Sequence, residues 1–248
     1  MSTATPAPST TTVDYGDRLR LGIVLPSGNT VAEPEIAAML PPGVVAHVTR
    51  LPLVGSSPEA LARMADGVDA AAELLADAHP DLVLFHCTAV TTIAPELEER
   101  LRTTMERRTG VPAVTTGAAL VAALRALAAT RVGLLTPYVP AVHDREKAFL
   151  AEHGVEVVVD AALGLDTNTE MARVPPPDLV DFVARHAHPE AEAYLLSCTA
   201  LRSAPTIEVL EQLTGRPVVT SNQAAVWHAL RRAGVGDVVP RFGRLLTG

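Results

Sequence analysis

The 248-residue sequence predicts an α/β protein of two pseudo-symmetric halves, each a parallel sheet covered by helices, with a cleft between them. Three observations lead there. Asp81-Leu-Val-Leu-Phe-His-Cys-Thr-Ala89 and Ala193-Tyr-Leu-Leu-Ser-Cys-Thr-Ala200 are short apolar runs of buried-strand type, and they hold the only two cysteines. Cys87 and Cys198 are 111 residues apart, as are Gly22 and Gly133 in the apolar runs that open each half. Hydrophobic residues make up 48% of the chain but aromatic ones only 3%, which indicates the Ala/Val/Leu interior of a buried parallel sheet.

The elements follow in order. Residues 19–25 read as a strand ending at Pro26-Ser-Gly-Asn-Thr30, followed by a short helix that tolerates Pro34 in its first turn. A strand is expected over 44–53. Ser57 then caps one long Ala/Leu helix to about Ala78. A strand over 82–87, a helix over 95–108 stopped at Gly110, and a strand over 112–115 complete the half. The second half repeats the plan: helix 117–129, strand 131–136, helix 140–153, strand 155–162, helix 177–186, strand 194–198, helix 205–214, strand 217–220 and helix 222–233. Gly110-Val-Pro-Ala-Val-Thr115 recurs as Gly215-Arg-Pro-Val-Val-Thr220, 105 residues on, a shortfall that a shorter preceding helix explains. The order βαβαβαβ, given twice, implies two flavodoxin-like subdomains. Residues 17–115 with 221–248 form the first and 116–220 the second, while the Ser/Thr/Pro/Ala-rich residues 1–16 read as a disordered tail.

A net charge of −8 without a basic stripe argues against nucleic acid as a partner. No run approaches the ~18 apolar residues of a membrane span. No secretory signal is visible, so a cytoplasmic location is expected, with both cysteines as thiols rather than a disulfide.

Ligands of such sheets bind outside the C-terminal ends of the strands. Ser27, Asn29, Cys87, Thr88, Thr115, Thr116, Thr136, Tyr138, Cys198, Thr199, Thr220 and Ser221 all fall there. Taken singly, the Ser, Thr and Asn residues also read as ordinary helix caps. The repeated Cys-Thr-Ala is harder to explain so. A cysteine at a strand end faces free N–H groups, which lower its pKa, and the same groups hold a carboxylate without arginine. Two such cysteines flanking one small acid can work as thiolate and thiol, which suits racemisation or isomerisation through a covalent adduct. No metal is expected, because the cysteines lack zinc-ligand spacing and His186-Ala-His188 reads as a solvated helix end. Neither a Walker loop nor a Gly-x-Gly-x-x-Gly appears, so no cofactor is expected. Period-two alternation turns His86 away from Cys87, as a packed, hydrogen-bonded histidine.

These residues resemble the aspartate/glutamate racemase superfamily, in its branch of maleate cis-trans isomerases and arylmalonate decarboxylases. The likeness rests on Val24-Leu-Pro-Ser-Gly-Asn29-Thr, the two cysteine strands, Leu135-Thr-Pro-Tyr138, Asp166-Thr-Asn168-Thr-Glu170 and Gly243-Arg-Leu-Leu, and covers nearly the whole chain beyond the tail. It implies that Cys87 adds to a substrate double bond and Cys198 protonates the neighbouring carbon. It also implies that Asn29, Tyr138 and Asn168 hold the carboxylates, completed by Thr88, Thr199 and Ser27. Decarboxylases of the branch keep the second cysteine and usually have glycine at the first, so both cysteines favour an isomerase or racemase over a decarboxylase, with maleate to fumarate as the leading expectation. His86 and the Thr88-Ala-Val-Thr-Thr92 run depart from the isomerases, and Arg241-Phe-Gly-Arg-Leu leans toward the decarboxylases. A racemase or decarboxylase using the same site stays open, as does a two-lobed clamp for a small anion. Family likeness suggests a homo-oligomer.

Overall fold

The computed structural model describes residues 13–92 and 95–248. Among the described residues there are eight strands: β1 (Leu19–Pro26), β2 (Val44–Leu51), β3 (Leu82–Phe85), β4 (Ala113–Thr115), β5 (Arg131–Tyr138), β6 (Glu156–Leu165), β7 (Ala193–Leu196) and β8 (Val218–Thr220). They form two four-stranded, all-parallel sheets of identical topology, β2-β1-β3-β4 and β6-β5-β7-β8. This is the duplicated plan expected from the repeats.

The helices are α1 (Ala32–Met39), α2 (Pro58–Asp66), α3 (Val68–Ala76), α4 (Thr88–Thr91), α5 (Pro95–Thr109), α6 (Thr116–Ala126), α7 (Pro140–Glu152), α8 (Asn168–Ala172), α9 (Pro176–Arg185), α10 (Ile207–Thr214), α11 (Ser221–Arg232) and α12 (Gly243–Thr247). The central strands alternate between two apolar clusters. Leu82, Leu84, Ala193 and Leu195 join the cluster of α6 and α11, whereas Val83, Phe85, Tyr194 and Leu196 join that of α2, α3, α9 and α10. Helices α6 and α11 pack on each other between the halves, each capped by the threonine that ends the preceding strand.

Three expectations change. The single helix over 57–78 is two helices broken at Gly67, where a Cβ would stand 2.7 Å from Leu51 Cδ2. The break lets α2 pack on α4 beside the cysteine while α3 packs on α5. The cysteine strands end at Phe85 and Leu196 rather than at the thiols. Each is prolonged by one matched bond, His86 N–H to the Val24 carbonyl (2.9 Å) and Ser197 N–H to the Leu135 carbonyl (2.9 Å), which sends both cysteines past the sheet. The short helices α4, α8 and α12 escape prediction because one or two turns carry no periodicity. Of the stretch expected as a tail, residues 1–12 lie outside the described residues. Asp14 accepts hydrogen bonds from Gly16 and Gly43, which ties the chain to the fold at that point. No described helix is long and apolar enough to cross a membrane.

The repeated glycines keep space for a neighbouring strand. A Cβ on Gly133 would lie 2.6 Å from Tyr194 Cδ1. That ring has little freedom, because its hydroxyl accepts from His188 N–H (2.7 Å) and donates to the His188 carbonyl (3.3 Å). Gly133→Ala is therefore expected to destabilise the protein by about 1–3 kcal/mol through overpacking, read from the midpoint of urea unfolding. An unchanged midpoint would mean that the ring moves aside freely.

Candidate active site

The two cysteines meet in one pocket. Cys87, Thr88, Tyr138, Asn168, Cys198 and Thr199 line it together, with Leu53, Met171 and Asp166 among the residues that complete the wall. Both cysteines are free thiols, only 4% and 3% exposed. The Cys198 sulfur lies 3.6 Å from Met171 Sδ and accepts from Ala200 N–H at 3.2 Å.

Local structure explains the placement. Cys87 occupies the N-cap position of α4 in an extended conformation, so the first N–H groups of that helix face its sulfur. Asn168 opens α8, whose start is fixed by a capping box between Thr167 and Glu170. Tyr138 is the last residue of β5. Asn29 sits just outside the pocket lining and fully buried. Its Oδ1 accepts from Val31 and Ala32 N–H at 3.0 Å, and its Nδ2 donates to Thr199 Oγ1 at 3.0 Å. Ser27 stands apart from the pocket, with its hydroxyl accepting from Leu53 N–H at 3.2 Å. The structure thus brings six of the eight expected residues to one cavity, holds Asn29 against it, and gives Ser27 a loop-closing role.

Electrostatics reverse one expectation. Free N–H groups do face the thiols and pull their pKa values down, but desolvation is larger. Burial, with the neighbouring Cys198 adding to it, pushes the Cys87 thiol up to about 12. Burial likewise takes Cys198 to about 11, with Ala200 N–H and the Tyr138 hydroxyl pulling the other way. Burial also holds the Tyr138 phenol well above its ordinary value. His86 behaves as alternation requires. Its Nδ1 lies 3.0 Å from Thr116 Oγ1 and its Nε2 2.8 Å from Asn222 Oδ1, on the face opposite the thiol. Burial lowers its pKa to about 4, so it is neutral.

The cavity is narrow. Ser56, in the loop after β2, donates to Asp166 Oδ1 through its N–H (3.0 Å) and hydroxyl (2.6 Å), joining the two halves beside the pocket. The remaining free volume is about 20 Å³, room for roughly one water. Larger cavities of about 520, 690 and 590 Å³ lie elsewhere on the described surface, and none of them contains a thiol.

Two buried acids were not anticipated. Glu35 accepts from Asn222 Nδ2 (2.7 Å) and Ala204 N–H (2.9 Å), and Asn222 in turn bonds His86, the residue before Cys87. Glu146 accepts from the hydroxyl of Ser197, the residue before Cys198, at 2.5 Å. Burial raises both carboxyls to about 7. The signal was present in the sequence, since Glu35 and Glu146 also stand 111 residues apart.

Comparison with known proteins agrees with this geometry. A sequence model of the arylmalonate decarboxylase family matches residues 21–246. A maleate isomerase of Pseudomonas putida is 32% identical over 244 residues, covering 92% of this chain and 97% of its own length. The arylmalonate decarboxylase of Bordetella bronchiseptica is 39% identical over 148 residues, covering 58% of this chain and 62% of its own. Among solved structures, a cysteine-to-serine variant of the Nocardia farcinica maleate cis-trans isomerase, with a covalently bound succinylcysteine intermediate, superposes with a TM-score of 0.87 at 28% identity. It covers 92% of this chain and 98% of the other. A pocket shared by two thiols, on a fold and sequence shared along nearly the whole described chain, makes this an enzyme of the arylmalonate decarboxylase and maleate isomerase family, within the aspartate/glutamate racemase superfamily.

Proposed function

We propose that the protein is a cofactor-independent cis-trans isomerase that converts maleate to fumarate. The observation that carries this reading is the sharing of one narrow pocket, without a lysine or arginine in its lining, by Cys87 and Cys198, with amide, phenol and hydroxyl groups around them. Similarity to maleate isomerases, and to one trapped as a succinylcysteine, supports it.

In this mechanism the cleft opens, and hydration lets the Cys87 thiol lose its proton. Closure over the substrate leaves the sulfur facing the Ala89 and Val90 N–H groups. Cys87 adds to one carbon of the double bond, and the Cys198 thiol gives its proton to the other. The product is a succinyl thioether on Cys87 with Cys198 as thiolate. Its central carbon–carbon bond is now single and rotates. Cys198 then takes a proton back from the carbon it protonated, the bond to Cys87 breaks, and fumarate leaves with both sulfurs restored. Asn168, Tyr138, Thr88 and Thr199 hold the carboxylates, and Asn29 keeps Thr199 in place. Holding dianions with neutral donors fits a chain of net charge −8, because the donors are fixed before the substrate arrives.

A second reading, decarboxylation of a malonate derivative, is favoured by the family match and by the 39% identity over part of the chain. One assay separates the two. Proton NMR of the wild type with maleate is expected to show fumarate, and Cys87→Ala and Cys198→Ala each to lose about a thousandfold in rate. Carbon dioxide released from phenylmalonate by Cys87→Ala, with no fumarate from the wild type, establishes the decarboxylase instead. Cys198→Ser, which keeps the nucleophile but weakens the acid–base partner, is expected to accumulate protein heavier by one maleic acid in intact-mass spectra. Absence of any adduct under single-turnover conditions argues against covalent addition.

The raised thiol values carry their own expectation. Both groups stay protonated near neutral pH, so iodoacetamide should react with the native protein more slowly than with free cysteine. The rate should rise with pH and fall further with maleate present. Rapid alkylation at pH 7 would show that the open, hydrated cleft dominates in solution.

A further inference from the structure

Behind Cys198 lies a chain of hydroxyls that ends on a carboxyl group. Glu146, on α7, is fully buried, and Ser197 Oγ donates to its Oε1 at 2.5 Å. Ser197 Oγ is 3.4 Å from Ser221 Oγ, to which Thr88 Oγ1 donates at 2.9 Å. Thr88 lines the pocket beside Cys87. The chain therefore runs from a group of the second half, through the first residue of α11, to the active site. Glu146 Oε2 is buried with no hydrogen-bond partner, and among the described residues Glu146 has no ion-pair partner.

We propose that Glu146 is a positioning residue whose protonation sets the direction of the Ser197–Ser221–Thr88 relay, and so decides whether Thr88 offers the substrate a donor or an acceptor. With Glu146 ionised, each hydroxyl donates toward it, and Thr88 turns its proton away from the pocket and leaves lone pairs facing it. With Glu146 protonated, its O–H donates to Ser197, Ser197 to Ser221 and Ser221 to Thr88. The Thr88 hydroxyl is then free to donate to a carboxylate. A dianion binds only the second arrangement well. Binding of a dianion to the ionised form thus takes up one proton from water, which comes to rest on Glu146. The inference rests on the small-dicarboxylate reading of the site.

The surroundings suit a neutral acid. The titratable groups facing Glu146 are Tyr138 at the end of β5 and Cys198 beyond β7, and neither is a cation. On its own helix, His143 bonds Thr136 and Asp160, and Lys147 bonds Asp160 on β6, so both basic groups are engaged elsewhere. Burial raises the Glu146 carboxyl to about 7, with the Ser197 hydroxyl pulling it down. A raised carboxyl is protonated below that pH and loses its proton above it, so dianion binding should weaken as pH rises through about 7.

The experiment is the pH profile of kcat/KM for maleate above pH 7, where maleate is already a dianion, taken as the ratio of wild type to Glu146→Gln so that the ionisation of Cys87, common to both, cancels. The ratio should fall about tenfold per pH unit above the Glu146 pKa, the slope for one proton. Glu146→Gln, whose amide donates to Ser197 at every pH, should keep only the rise that comes from the thiol. Ser221→Ala should follow Glu146→Gln, because it cuts the relay while leaving the Glu146–Ser197 bond intact. A Ser221→Ala profile that follows the wild type instead means that Glu146 acts on Cys198 through space and overturns the relay. A ratio that does not change with pH removes Glu146 from the pH response. A wild type that does not turn over maleate refutes the isomerase reading alone. The relay is then read from calorimetry of succinate binding at pH 8 in buffers of different protonation enthalpy. Nearly one proton should be taken up per succinate by the wild type and none by Glu146→Gln; equal uptake by the two, or no binding at any pH, overturns the relay.

Discussion

Desolvation of two thiols in one pocket is the constraint on which the rest of the structure depends. A narrow pocket with room for about one water removes most of the solvent that would stabilise a thiolate, and the N–H groups around the sulfurs only partly replace it. The sulfurs are therefore resting acids. In the proposed isomerisation the cleft alternates between a hydrated form that sheds a proton and a dry form that protects the carbon intermediates.

Polar bonds across the cleft register the two halves. Asn29 reaches Thr199, Ser56 reaches Asp166, and Glu35 takes the Ala204 N–H. Each is short, and most are buried, where a missing partner costs about 1–3 kcal/mol. Together they hold equivalent strand ends face to face. Ser56–Asp166 is the exception, lying at the rim where water can compete, which makes it the contact most easily broken when a substrate enters.

Duplication has kept the acids as well as the thiols, yet the halves have diverged around them. His86 and Ser197 occupy equivalent positions, and the buried glutamate reaches the first through Asn222 and the second directly. The first half thus sets a neutral, locked imidazole behind its cysteine, and the second sets a hydroxyl that can reverse. This asymmetry agrees with different duties for two sulfurs on similar scaffolds.

The sequence by itself determined the doubled α/β plan and five of the six residues gathered at the pocket, because a period of two, a shared 111-residue offset and the strand-end rule are all local or repetitive signals, whereas Asn168 was legible only through the family resemblance. It also determined that His86 faces away from Cys87, since alternation alone decides it. Only the tertiary structure decided the thiol pKa values, the seat of Ser27, the break at Gly67 and the burial of Glu35 and Glu146. Each of these depends on what packs from the other side of the fold. Desolvation is set by distant chain segments, and a glutamate in a helix reads as solvated until the strands and loops packed on it are seen.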